Sequence, residues 1–369
     1  MKTVGWIRAT TAAAASLVVA GRADVLYAAT YCVDTGAQLQ TAMTAAAASA
    51  DDDAIHLVGG SYASTSSNGF FAQLGVSGDL EISGGWFPGC LARNKGLQST
   101  IDGGTFNPGM VIVGSTVAGP AASLSISHLN FVHGYTVDTA ARGGGLTVML
   151  SQAATVDVTI DSNRFFENSS ENAIDGGGGG LRAVADRNLT VSNNVFAANH
   201  VRTYGGAALL SCGSVLARIV NNTVTDNEAG LGGAGALSGL HVQGGCFTEI
   251  ANNILWGNNG TDLALYVDGA RLYNNDLADL GGTEAPAVSS GNIYANPLFV
   301  SATDLHLRRS STLIDAGLDT PIDGLPASAY DDGPRLVGAH VDIGAYELER
   351  LFDDGFDPAF VIAEDAPSH

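Results

Sequence analysis

Glu171, Asp175 and Arg182 lie close together in the middle of the chain; His200, Arg202 and Tyr204 follow as a second group, with His241 further on. These residue types contain the parts of two reactions. Glu171 and Asp175 are hard oxygen ligands of the kind calcium takes, and Arg182 is a cation able to neutralise an acid group, which together suit β-elimination on a uronate. Hydrolysis needs instead two carboxyls several ångströms apart, one acting as acid, and Glu167, Glu171, Asp175 and Asp138 are the candidates. In either scheme His200, Arg202, Tyr204 and His241 are contacts to a bound chain. Each also has a plainer reading: Arg182 as a solvated strand residue paired with a loop acid, His200 and His241 as surface imidazoles.

These residues act together only if the backbone brings them to one face, and the chain carries a device for that. VSNNVFAAN at 191–199 follows VTIDSNRFFENSS at 158–170 and precedes RIVNNTVTDNEAG at 218–230 and EIANNILWGNNG at 249–260. Taking the last apolar residue before each Asn turn gives Ile126, Ile160, Val191, Ile219, Ile250 and Leu272, at spacings of 34, 31, 28, 31 and 22 residues. A fixed phrase with a variable spacer is the mark of a coiled solenoid, whose stacked parts must match while its loops vary. The short Val-, Ile- and Thr-rich runs bounded by Asn and Gly predict strands. Asn tolerates the left-handed backbone of a sharp corner, and stacked Asn side chains can bond from rung to rung. Glycine clusters at 143–145, 176–180, 205–206 and 232–235 recur once per rung, where the chain re-enters a sheet.

This phrase and spacing, over roughly 111–299, resemble the right-handed parallel β-helix of the pectin-lyase-like superfamily. The resemblance implies an all-β single solenoid with a short N-terminal capping helix. It also implies a ligand groove outside one sheet, between that sheet and the loops entering it. Counting ten residues back from the register marks puts Leu181, Leu209 and Leu240 in one inward lane. Strand alternation then turns Arg182, Leu210 and His241 outward on one side and Gly180, Ala208 and Gly239 on the other. The chain departs from the polygalacturonases in lacking their clustered Asp pair, and from the pectate lyases in lacking their Arg-rich strands.

Further on, GNIYANPLFV at 291–300, DLHLRRSSTLIDAG at 304–317 and YDDGPRLVGAHVDIGAYE at 330–347 resemble the closing part of the choice-of-anchor Q group of secreted β-helix proteins. That group implies no common reaction. Asp315, Arg335 and Asp342 sit beside Gly turns, where side chains satisfy backbone groups and pair charges. Calcium held by Asp331, Asp332, Asp342 and Glu347 is the sharper alternative. LFDDGFD in the tail resembles a short terminal motif of some bacterial exported proteins.

Boundaries follow from these phrases: a secretory signal over 1–29, an N-terminal cap and first coils over 30–118, regular coils over 119–300, a closing module over 301–349 and an acidic tail over 350–369. Lys2 and Arg8 before an apolar stretch and small residues give the signal its layout, and no stretch is long and apolar enough to span a bilayer. An Ala-rich helix is expected over Gln38 to Ser49 and a first strand at Ile55 to Val58. Export permits disulfides, and four cysteines allow three pairings. Cys212 and Cys246 lie one rung apart, which would leave Cys32 to tie the cap to the early coils through Cys90; buried free thiols are the alternative. The net charge of −21 excludes nucleic acid and anionic membrane surfaces as partners and is compatible with cations. The sequence therefore points to a secreted or surface-displayed monomer that binds a polysaccharide or cell-surface glycan along its groove. A calcium-assisted polysaccharide lyase, a glycoside hydrolase and a structural passenger or spacer are the alternatives.

Overall fold

A computed structural model describes residues 28–348 except 76–77, 95, 115–120, 138–141, 152–155, 172–176 and 231–237. The expected signal, but for its last two residues, and the acidic tail lie outside the described residues. One rung shows the plan. Val156–Asp161 belongs to sheet 1, Arg164–Phe166 to sheet 2, Ser169–Ser170 to a small side sheet and Leu181–Ala185 to sheet 3, after which Asn188–Ser192 returns to sheet 1. Sheets 1, 2 and 3 have ten, eight and eight strands and the side sheet four, each strand pairing in parallel with its counterpart one rung away. The fold is a parallel β-helix.

Its register follows the apolar residue before each Asn turn. Ile126, Ile160, Val191, Ile219, Ile250 and Leu272 are successive partners in sheet 1, and the same lane runs back through Ile82 and Ile55 to Tyr31. Alternation buries every second side chain, so the interior is a stack of like on like; Phe131, Phe165 and Phe196 stack with centroids 5.0 and 4.7 Å apart.

The corners explain the Asn phrases. Ser162, Asn193, Asn221, Asn252 and Asn274 take positive φ, and the residue after each is a fully or mostly buried Asn. Asn163, Asn194, Asn222, Asn253, Asn275 and Asn292 form one ladder, the backbone N–H of each donating to the side-chain oxygen of the next at 2.9–3.0 Å. Asn168, Asn199, Asn227 and Asn258 form a second at the following corner. The left-handed residue turns the chain and the buried amide satisfies the backbone groups that the turn leaves unpaired.

Glycines serve close approach. A Cβ on Gly179 would lie 2.4 Å from the carbonyl oxygens of His200 and Gly206, because successive rungs touch where they enter sheet 3.

The helix spans Gly36–Ala47, two residues earlier than expected, because Thr35 caps it: its hydroxyl accepts from Gln38 N while Gln38 Oε1 accepts from Asp34 N. The first strand is also earlier than expected. Ala29–Val33 pairs with Asp53–Val58, so Ala29, placed in the signal by sequence, opens the solenoid. Disulfides join Cys32 to Cys90 and Cys212 to Cys246.

Residues 293–347 fold back along the coil as a strap. Its carbonyls at Ala316, Leu318 and Ser328 accept from the side chains of Asn274, Asn252 and Asn193, and Ile322 O accepts from Arg218. Leu305 and Ala345 pack on Val195 and Ala197, while Leu307, Leu313 and Ile343 pack on Ile254, so the strap covers the outer face of sheet 2 over its middle and later rungs, and Ser61 and Ala63 on its first strand stay exposed. Its tip is held at Asp332, which takes Arg93 Nη2 at 2.6 Å and His128 Nε2 at 3.0 Å.

The four strap carboxylates considered for calcium turn to different partners. Glu347 pairs with Arg335 at 2.7 Å and Asp342 accepts from the backbone of Asp315 and Leu348. Asp331 faces His306.

Candidate functional site

With much of sheet 2 covered, sheet 3 offers the outer face that the sequence pointed to. Its strands include Phe70–Gln73, Met110–Val113, Leu146–Leu150, Leu181–Ala185, Ala208–Cys212, Leu240–Gly244 and Leu263–Tyr266. The register corrects one lane. Leu181 stacks on Ala208 and then Leu240, whereas Leu209 pairs with Arg182 and His241. The cause is local: residues 213–215 make a three-residue turn between sheets 3 and 1, where the rungs on either side use two residues, 186–187 and 245–246. Leu210 and Ala208 therefore face inward and Leu209 outward.

Two outward lanes result, and they differ. Val111, Thr147, Leu209, His241 and Ala264 are buried although they face away from the core, with Arg182 half-buried among them. Tyr204, from an entering loop, packs tilted against His241 at 4.9 Å, and Tyr266, from the neighbouring lane, stacks on the same ring at 4.6 Å. Burial, aided by the positive charge of Arg182, lowers the pKa of His241 and outweighs the hydrogen bond to Gln243, which favours the neutral imidazole. Among the described residues the second lane stays open. Gln73, Val113, Met149, Val184, Ser211, Gln243 and Tyr266 are successive register partners, each half-buried or exposed.

The remaining nominated residues are brought together elsewhere. His200 lies in the side sheet, its Nδ1 2.8 Å from Glu171 Oε1, and Ser169 Oγ donates to the same oxygen at 2.9 Å. Glu167 faces His133 at 3.4 Å, with Asp102 on the other side of that ring at 3.2 Å. Arg202 is exposed on the loop between His200 and Tyr204. Asp138 and Asp175 lie outside the described residues. Glu171, expected as a calcium ligand, thus gives its carboxylate to His200 and Ser169, and among the described residues no three His, Cys, Asp or Glu side chains converge as a metal site.

No protein-family model matches the chain, and no curated protein matches it. Among solved structures it is similar to the crystal structure of pectate lyase Pel9A, at 13% identity over 83% of this chain and 90% of that one, with a TM-score of 0.35. At that level of similarity the fold rests on the strand register itself.

Proposed function

We propose that this protein binds an extended carbohydrate chain along the open outward lane of sheet 3. The observation that carries the reading is the ladder from Gln73 to Tyr266: seven side chains in register, one per rung, on a sheet face that the strap leaves free. At a strand spacing of about 4.8 Å it runs for about 29 Å. A pyranose chain repeats on the scale of a rung, sets C–H faces on Val113, Met149 and Val184, and offers hydroxyls to Gln73, Ser211, Gln243 and Tyr266. An extended peptide is a poorer fit, because the strands beneath are already bonded to the rungs on either side and leave no free edge along the lane. Two disulfides suit an oxidising, extracellular setting.

Turnover has less behind it. Glu171 is paired with His200, Glu167 and Asp102 flank the ring of His133, and Arg182 stands in the filled lane, so the seven side chains of the open ladder include neither a carboxyl nor a cation. The test is retention on a panel of polysaccharides, with Val184→Asp as the control and circular dichroism to confirm its fold. Wild-type retention of at least one polymer, lost in V184D, is expected, with no new reducing ends or unsaturated products. Equal retention by both proteins, or by neither, would remove the proposal.

A further inference from the structure

Resting on that reading, we infer that the bound chain is uncharged: a neutral glycan, not a polyuronate. The open ladder holds two amides, a hydroxyl, a phenol and three apolar side chains, and no charge in seven rungs. Its order matters as well as its composition. Val113, Met149 and Val184 are consecutive, with hydrogen-bonding groups at Gln73 before them and at Ser211, Gln243 and Tyr266 after them. A neutral chain can therefore lay successive ring faces on the apolar run and anchor its hydroxyls beyond it.

A polyuronate brings a carboxylate with every ring and needs cations at matching intervals. The bordering cations are committed. Arg187, on the turn that leaves the sheet, pairs with Asp157 at 3.2 Å, and Arg182 stands half-buried one lane away, behind the ladder. The whole chain carries a formal charge of −21, which opposes an incoming polyanion most strongly at low salt.

The experiment is calorimetric titration of the protein with neutral hexasaccharides of the β-1,4-glucan, mannan and xylan series. Oligogalacturonate and oligoalginate of the same length are compared, with and without calcium, at low and high salt. At least one neutral series is expected to bind, with an affinity that salt changes by less than about twofold, and the uronates to bind at least about tenfold more weakly at low salt. Val184→Lys, which places a cation in the middle of the ladder, is expected to weaken the neutral ligand and to raise uronate affinity several-fold. Binding of uronates alone overturns this inference and leaves the carbohydrate reading standing. Binding of neither class overturns both.

Discussion

Asn194 concentrates the logic of the corners in one side chain. Its Nδ2 donates to Ile160 O at 2.8 Å and to Asn222 Oδ1 at 3.1 Å, and its Oδ1 accepts from Asn163 N at 2.9 Å, all without access to water. Asn194→Ala should strand groups on three rungs and cost about 3 kcal/mol or more, read as a drop in the denaturant midpoint at unchanged slope. Asp276 is the opposite case, a buried carboxylate short of partners. Its Oδ1 accepts from Ala295 N at 2.8 Å and its Oδ2 has no hydrogen-bond partner among the described residues, so burial raises its pKa to about 7. A raised acid binds its proton more tightly folded than unfolded, so stability should fall as pH rises from about 4 to 7. Asp276→Asn should flatten that slope and be the more stable protein at neutral pH; an unchanged slope in thermal melts across this range would refute the assignment. The Asn positions were legible from sequence because type and place repeat together. Asp276 was not, because Ile293 and Ala295, which meet it, lie outside the repeated phrase.

The strap and the rung-to-rung turns show what sequence yields at the scale of elements. The register marks from Ile126 to Leu272 held because each stands two residues before a left-handed corner residue, His128, Ser162, Asn193, Asn221, Asn252 and Asn274 in turn. Leu209 was misplaced because counting back from Ile219 crosses a turn that carries one more residue than its neighbours. The strap's course was hidden for another reason: it meets the corner Asn side chains through main-chain carbonyls, which any residue supplies. Its tip is testable. Asp332 sits well below the usual carboxylate range; burial alone would raise it, but hydrogen bonds and charge from His128 and Arg93 prevail, while Asp331 and Asp304 outweigh burial and raise His306. A depressed acid contributes above its unfolded pKa near 3.8 and fails as pH falls through its folded value. A raised histidine contributes below its unfolded value near 6.5 and fails as pH rises past its folded one. The tip should therefore be held best in mild acid, with amide protection over 328–334, relative to the intrinsic exchange rate at each pH, greatest there. Asp332→Asn should speed that exchange and expose the tip to protease while the coil melts nearly as before.

At the scale of the whole molecule, a rod with one outer sheet face largely covered by the strap and a lane of another open among the described residues has a direction for its ligand, along the axis. The fold class was legible in the sequence because a solenoid writes its period into the chain. The open ladder was not, since Gln73, Val113, Met149, Val184, Ser211, Gln243 and Tyr266 share no residue type and are united only by register. The residues that attracted chemical interest, Arg182 and His241 among them, line the filled lane beside it. If ligand lies along the ladder, affinity should grow with ligand length, since each added ring meets another rung. Dissociation constants for a neutral oligosaccharide series from one ring upward measure this directly. The account predicts successive tightening up to about six rings, the length of the ladder, and then a plateau; an affinity already complete with one or two rings would contradict it.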